Sequence, residues 1–169
     1  LSLATSSFRE PLLRGVYPRK NRTNLEVISS DPICPLNLVD VRAESFTYPL
    51  HFHPELELTL IIQGRGQRQV GDSIESFGPG DLVLVGAHTP HCWLSDRILG
   101  QSVRAFVVQF PETLFGADFL NGPLGRPLSA LFERARQGIS FTGPLRERVI
   151  GKLKALFASA HNPLDRTGM

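Results

Sequence analysis

The sequence of 169 residues contains only two cysteines, Cys34 and Cys92, and they form no CxxC pair. A disulfide framework and a cysteine zinc site are therefore excluded, although a single bridge between the two stays open. Reduced thiols are typical of a cytoplasmic protein. The first residues, LSLATSSFRE, have neither a basic nor an apolar region, and no later run is long enough to span a membrane. We expect a cytoplasmic protein without membrane contact.

A strong excess of charge is also missing, because the formal net charge is +2. Nonspecific DNA binding requires several clustered phosphate contacts, so we do not expect this chain to bind nucleic acid by itself. The basic run Arg14–Arg22, RGVYPRKNR, is typical of a solvated loop. No GxSxG or phosphate-binding loop is present, and the GRG at Gly64–Gly66 lacks the third glycine of a dinucleotide site.

Short apolar segments separated by glycine and proline dominate the middle of the chain. The predicted strands are Leu36–Ser45, Leu56–Gln63, Gln67–Val70, Ser73–Phe77, Leu82–Val85, Cys92–Leu94 and Val103–Phe110. Many short strands without helices between them favour an antiparallel sandwich or barrel. After Pro111, helical periodicity predicts helices over Pro127–Gln137 and Pro144–Ala160. We expect their apolar faces to pack on the β-domain, with a partner-binding face as the alternative.

The segment His51–Leu58, HFHPELEL, places polar and apolar residues in alternation. In an extended chain His51, His53, Glu55 and Glu57 share one face, and the leucines share the other. The pattern fits either a solvated polar edge or a set of metal ligands. Pro54 disfavours a continuous strand, so the histidines and Glu57 are expected on successive strands of one hairpin.

A further histidine, His91, precedes an apolar strand in the segment HTPHCW, and antiparallel pairing would bring it opposite the first pair. His88 competes for this role, but Pro90 lies between the two and we do not expect both in one site. Imidazole nitrogen and carboxylate oxygen suit Zn, Ni, Mn or Fe. The predicted metal ligands are His51, His53, Glu57 and His91, and no catalytic residue is assigned.

Two motifs resemble those of cupins. His51-x-His53, then Glu57 after three residues and Gly64 after six more, matches the first cupin motif. GPGDLVLVGAHTPHCW, residues 78–93, resembles the second motif, with His91 at the motif histidine. Departures from its fullest form occur at Gly86, His88 and Ser95 and bear on a catalytic metal more than on the barrel. The resemblance implies a mainly β protein, a jelly-roll-like antiparallel cupin barrel followed by two or more C-terminal α-helices.

More narrowly, residues 51–93 resemble the N-terminal sensor domain of AraC-type transcriptional regulators, and LFERARQGISFTG, residues 131–143, resembles the segment after that barrel. The resemblance implies an N-terminal arm over residues 1–30, a cupin barrel over 31–111 and a helical segment over 112–169. It also implies a sugar-like or other small organic effector, homodimerisation, and a separate DNA-binding domain, which we expect to be absent from this chain.

In that family the last barrel strand helps to line the effector pocket, and here Arg104 and Phe106 share one face of this strand. The resemblance therefore implies that Arg104 binds a hydroxyl or carboxylate, and that Phe106 or Trp93 stacks on a sugar or ring. The alternatives are an exposed Arg104 and a core Trp93. The leading hypothesis is a sensor domain and not an enzyme. The second is a metal-dependent cupin isomerase or dioxygenase, for which Glu55 is the nearest spare carboxylate.

Overall fold

The structure is a computed structural model that describes residues 23–28, 35–96 and 102–160. Cys34 and the basic run Arg14–Arg22 lie outside the described residues, as does most of the predicted arm. The strands are β1 Asn24–Leu25, β2 Asn37–Ala43, β3 His51–Phe52, β4 Leu56–Gln63, β5 Gly66–Val70, β6 Ser73–Phe77, β7 Leu82–Val85, β8 His91–Ser95, β9 Val103–Phe110 and β10 Ile139–Ser140. The helices are a short 3-10 helix Glu112–Phe115, α1 Ala117–Asn121, α2 Arg126–Ala135 and α3 Gly143–Ala160.

The strands form two five-stranded sheets, in the orders β1-β3-β8-β5-β6 and β10-β7-β4-β9-β2. Neighbouring strands are antiparallel except β1 and β3, which are parallel. The predicted antiparallel β-barrel followed by C-terminal helices is confirmed. Four predicted strands, those now labelled β4, β6, β7 and β9, have the expected bounds.

Strand β4 shows why the polar face of the HFHPELEL segment is not solvated. Its odd-numbered residues, including Ile61, point between the sheets and join a core with Val83, Val85 and Val107. Its even-numbered residues, such as Leu60, pack against α2 and α3 on the outside. Because helices cover the outer face of this sheet, both faces of β4 are buried along most of its length, and the polar side chains of Glu57 and Thr59 line the barrel interior.

The helices α2 and α3 pack on the outer face of the second sheet. Phe132 and Ala135 of α2 contact Leu84, whereas Leu153 and Phe157 of α3 join the core around strand β9. Both helices lie within two residues of their predicted bounds. Of the helices that the structure describes, none is both long and apolar enough to cross a lipid bilayer.

Candidate metal and ligand site

Four ionisable side chains converge at one end of the barrel interior. His51 lies on β3, His53 directly follows it, and Glu57 and His91 belong to β4 and β8. His51 and His91 are register partners, as antiparallel pairing predicted. The predicted hairpin is wrong, because β3 and β4 belong to different sheets and the turn at Pro54 carries the chain from one to the other.

The ligand atoms of this set lie close enough for a single ion. One nitrogen or oxygen from each residue lies within 4.8 Å of the others, and all four residues are buried. The members of this group, called here the His/Glu set, are His51, His53, Glu57 and His91. The structure thus brings together the four predicted ligands, while metal binding itself stays a prediction.

Main-chain carbonyls orient all three imidazole rings. Each Nδ1 lies within hydrogen-bond distance of a carbonyl oxygen two residues away: His51 at 3.0 Å from Pro49, His53 at 3.1 Å from Glu55, and His91 at 2.7 Å from Thr89. A carbonyl only accepts, so each Nδ1 carries a proton and each Nε2 points toward a carboxylate, at 3.2 Å from Glu26 for His51 and at 3.2 Å from Glu57 for His53. Metal-binding histidines usually make such a hydrogen bond through the ring nitrogen that does not bind the metal.

The Glu57 carboxylate is fixed by donors from neighbouring strands. Thr59 Oγ1 donates to Oε1 at 2.7 Å, and Gln109 Nε2 donates to Oε2 at 2.9 Å. Asn37 in turn donates to Gln109 at 2.7 Å. Burial raises the pKa of Glu57, but its contacts with His53, His91 and Thr59 lower it, and the result lies well below the ordinary value. Glu57 is therefore an ionised carboxylate inside the barrel.

His91 provides the observation that tests the fit of a metal ion. Its Nε2 atom is buried, has no hydrogen-bond partner among the described residues, and lies 3.6 Å from Glu57 Oε2. Burial lowers the pKa of His91, but the hydrogen bond and charge of Glu57 raise it by more, so the pKa lies above its ordinary value and the carboxylate favours positive charge at this ring. Three imidazole nitrogens and one carboxylate suit a first-row divalent ion, which would supply the charge that these atoms attract. The residues fit a metal ion.

Glu26 also reaches the His/Glu set, which sequence reasoning missed. Its Oε2 lies 3.2 Å from His51 Nε2, and Tyr48 donates to its Oε1 at 3.4 Å. Glu26 follows β1, and its backbone N–H donates to Phe52 at 3.0 Å. No sequence motif could have indicated this residue, because its position depends on the pairing of β1 with β3. Thr59 did carry a signal, since it continues the polar alternation of His51–Glu57.

A cavity of about 390 Å³, called here the interior cavity, begins at the His/Glu set. Its polar end includes His51, Glu57 and Gln109. Its apolar wall includes Val39, Val41, Phe46, Trp93 and Val107. A volume of this size with apolar walls and a few polar anchors is typical of small-molecule sites. The predicted ligand-binding residue Trp93 thus lines the interior cavity, and its indole Nε1 has no hydrogen-bond partner among the described residues.

The structure does not place Arg104 or Phe106 in the interior cavity. On β9 the neighbouring Val107 and Gln109 point inward, so Arg104 and Phe106 point outward toward α3. Phe106 stacks on Phe157 with ring centroids 4.1 Å apart. The implied position of Arg104 and Phe106 on the wall of the pocket inside the barrel is therefore wrong, because strand alternation puts them on the opposite side of the sheet.

Arg104 instead forms an ion pair with Asp40 on β2. Asp40 lies opposite Phe106 where β2 pairs with β9. The Nε and Nη2 groups of Arg104 donate to the two carboxylate oxygens at 2.8 and 2.9 Å. The hydrogen bond from Arg104 is the main reason why the pKa of Asp40 lies far below its ordinary value, and it outweighs burial, which raises that pKa.

The loop between β7 and β8 supports His91 from the outside. Gly86 N–H donates to Ala135 at 2.7 Å and Thr89 Oγ1 to Arg136 at 3.2 Å, so the loop is attached to the C-terminal end of α2. His88 adopts a φ of 58° and its side chain is exposed. As expected, His88 is not part of the His/Glu set. The other spare residue, Glu55, lies behind the site, with Oε2 3.5 Å from His53 Nδ1.

Comparison with known proteins gives a match for the middle of the chain. Residues 37–97 match the family model described as "Cupin domain". No curated protein sequence gives a significant match. Similar solved structures include a cupin 2 conserved barrel domain protein from Rhodopseudomonas palustris, which is 23% identical, with 50% of this chain and 57% of that chain covered and a TM-score of 0.38.

Two further solved structures belong to proteins of different kinds. An oxalate decarboxylase variant from Bacillus subtilis is 20% identical over 59% of this chain and 29% of that chain, with a TM-score of 0.38. ToxT from Vibrio cholerae is 9% identical over 70% of this chain and 47% of that chain, with a TM-score of 0.49. This chain thus spans about half the length of ToxT, and neither similarity bears on its activity.

Proposed function

We propose that this cupin domain binds a small organic molecule in its interior cavity and serves as the effector-sensing domain of an AraC-type transcriptional regulator. The observation that carries the proposal is the interior cavity itself, in which an apolar wall meets the buried His/Glu set. Such a site selects a ligand with a compact apolar body and at least one oxygen that a metal ion or hydrogen-bond donor can hold. Small hydroxy acids have this chemistry, and a sugar meets it through its hydroxyl oxygens and the C–H bonds on one face of its ring.

A metal ion held by the His/Glu set would act as a Lewis acid for a ligand oxygen. The chain's own groups would hold the remainder of the ligand. Trp93 offers an unpartnered N–H donor and an apolar ring face, and the valines of β2 and β9 exclude water. The ligand should therefore carry a hydrogen-bond acceptor near its apolar part.

The sensing role is supported by the way the second sheet separates the interior cavity from the helices. Thr59 and Val107 line the cavity, whereas the adjacent Leu60 and Phe106 contact α3 on the other face. A ligand that moves β4 or β9 would thus move side chains packed against α3. Effector binding is thereby connected to the packing of the C-terminal helices. A ligand that binds one arrangement of sheet and helices more tightly than another increases the population of that arrangement.

The single tryptophan of the chain makes ligand binding directly measurable. Trp93 lines the interior cavity, and its ring centroid lies 5.6 Å from that of His91. We expect monosaccharides or hydroxy acids that enter the cavity to change Trp93 fluorescence saturably, and His51→Ala to weaken the effect. A panel of such compounds that leaves the fluorescence of folded, metal-loaded protein unchanged would contradict the proposed ligand class.

A metal-dependent cupin isomerase or dioxygenase is the second candidate, favoured by the buried and unpartnered Nε2 atom of His91. The two candidates differ in what should follow residue 169 in the source genome. The regulator requires a reading frame that continues for roughly a hundred residues, a usual size for a domain, with two helix-turn-helix units. A stop codon directly after Met169 would reject the regulator and leave the enzyme.

A further inference from the structure

A second cavity of about 410 Å³ lies on the outer face of the second sheet, at its junction with α3. It shares no lining residue with the interior cavity, because alternate residues of β2 and β9 point to opposite faces. We call it the junction pocket. Its lining consists of Asp40, Arg42, Ile62, Arg104, Phe106, Lys154, Phe157 and Ala158.

The junction pocket has an excess of positive charge. Asp40 is the only carboxylate of its lining, against three cationic side chains. Both oxygens of Asp40 are already engaged, by Arg104 at 2.8 and 2.9 Å and by Arg42 at 2.7 and 3.1 Å. Lys154 on α3 has no ion-pair partner among the described residues. An anionic ligand would balance this charge, and Lys154 is the group with which it would pair.

Arg104 is held in a fixed orientation at the same place. Asp40 accepts from its Nε and Nη2 groups, and the guanidinium carbon lies 4.9 Å from the centroid of the Phe106 ring. The Nη1 group takes no part in the pair with Asp40. A guanidinium that is already ordered loses little entropy on binding, and its planar donors match a carboxylate.

The floor of the junction pocket is apolar and rigid. The rings of Phe106 and Phe157 are stacked, with an interplanar angle of 2°, and both residues are buried. Ile62 and Ala158 extend the apolar lining. A ligand that fits both the floor and the cations must be amphipathic, with one anionic group and a compact apolar body.

We propose that the junction pocket is a second binding site, which takes a small carboxylate with an aromatic or short aliphatic body. The carboxylate pairs with Lys154 and with Nη1 of Arg104, and the apolar body packs against Ile62, Ala158 and the edges of the two stacked rings. Lys154 and Phe157 belong to α3, whereas Arg104 belongs to β9. The ligand therefore contacts the helix and the sheet at once and stabilises their packing. The site is independent of the proposed metal ion and of the interior cavity.

The test is isothermal titration calorimetry with phenylacetate, benzoate and octanoate, and with the neutral phenylacetamide. We expect at least one carboxylate to bind with a stoichiometry of about one. Phenylacetamide should bind at least tenfold more weakly than phenylacetate, since a hydrogen bond to a charged group is worth about a factor of ten or more in affinity. Absence of binding by all three carboxylates would overturn the proposal.

Variants on α3 locate the binding. Lys154→Gln should weaken carboxylate binding about tenfold, again by loss of one charged contact. Lys152→Gln removes the same charge from the same helix but lies outside the junction pocket, so it should leave the affinity unchanged. Equal affinities in the wild type and Lys154→Gln, or equal losses in both variants, would overturn the proposal. Both substitutions replace exposed side chains, and the thermal midpoint of each variant verifies its fold.

Discussion

Among single residues, Glu57 shows how neighbouring side chains of the barrel orient a candidate metal ligand and keep it ionised. Its two oxygens accept from Thr59 and Gln109, and Asn37 orients Gln109 in turn. Donors of this kind keep a buried carboxylate ionised and fix the direction of its lone pairs. They would therefore contribute to the affinity for a metal ion without touching it.

Replacement of Gln109 tests this contribution. Gln109→Ala should weaken Ni²⁺ binding by about 10–100-fold, because outer hydrogen-bond partners of metal ligands have effects of that size. Gln63→Ala is the matched control, since Gln63 is exposed at the end of β4 and its side chain donates to Ser102. Calorimetric titration of metal-free protein measures both. An affinity of Gln109→Ala equal to that of the wild type would show that Gln109 does not support the site.

Asp40 gives a pH-dependent contribution to stability. Arg104 lowers its pKa in the folded protein, so this contribution is complete above the unfolded pKa of about 3.9 and declines as the pH falls below that value. The free energy of unfolding should therefore fall more steeply from about pH 5 to about pH 3 in the wild type than in Asp40→Asn. Urea denaturation at the two pH values measures the difference. The control Asp72→Asn, at an exposed turn, should behave like the wild type.

The sequence could predict the His/Glu set because His51, His53 and Glu57 lie in one short segment, and because His91 stands at the histidine of a second recognisable motif. It could not predict the side of the barrel for Arg104 and Phe106. Alternation tells which residues of a strand share a face, but not which face is inside when both are buried. On β9 all but the arginine and the last residue are buried, so hydrophobicity does not distinguish the faces. Only the position of α3 settles the question.

At the scale of elements, the β7–β8 loop connects the His/Glu set with α2. The loop holds the ring of His91 through the Thr89 carbonyl and is itself bonded to the end of α2 at Ala135 and Arg136. Gly86 fits there only because it has no side chain. A Cβ at this position would lie 2.5 Å from the backbone nitrogen of Arg136 and 2.7 Å from the carbonyl carbon of Ala135.

Gly86→Ala should therefore lower the free energy of unfolding by about 1–3 kcal/mol, the usual cost of overpacking against a fixed backbone. It should also weaken metal binding, because the loop that positions His91 must move. Gly78→Ala is the control, since a Cβ there meets nothing within 4 Å, and its effect should stay within about 0.5 kcal/mol. Equal unfolding energies of the two variants in urea would contradict the proposed contact.

Strands and helices could be predicted where the sequence of the segment itself has a clear hydrophobic periodicity. The long strands β4 and β9 and the helix α3 have clear periodicity, and their bounds are close to the predicted ones. The two-residue strands β1 and β10 have no such signal, because they exist only through pairing with β3 and β7. Glu26 was missed for the same reason.

At the scale of the whole molecule, the second sheet has two buried faces with different partners. One face lines the interior cavity with its His/Glu set, and the other carries α2 and α3 and contributes to the junction pocket. This arrangement places a small-molecule site and a helical segment on opposite sides of the same strands. The sequence predicted the barrel and the helices. It did not predict which face of the second sheet the helices cover, because that depends on contacts between residues far apart in the sequence.

We expect the His/Glu set to be a metal site at the end of a ligand cavity. The most direct test is elemental analysis of protein purified without a histidine tag, as wild type, His53→Asn and His88→Asn. His53 is buried within the set, whereas His88 is exposed outside it. We predict about one first-row metal ion per chain in the wild type and His88→Asn, and its loss from folded His53→Asn. A folded wild type that stays free of metal after exposure to Mn²⁺, Fe²⁺, Ni²⁺ and Zn²⁺ would contradict this expectation.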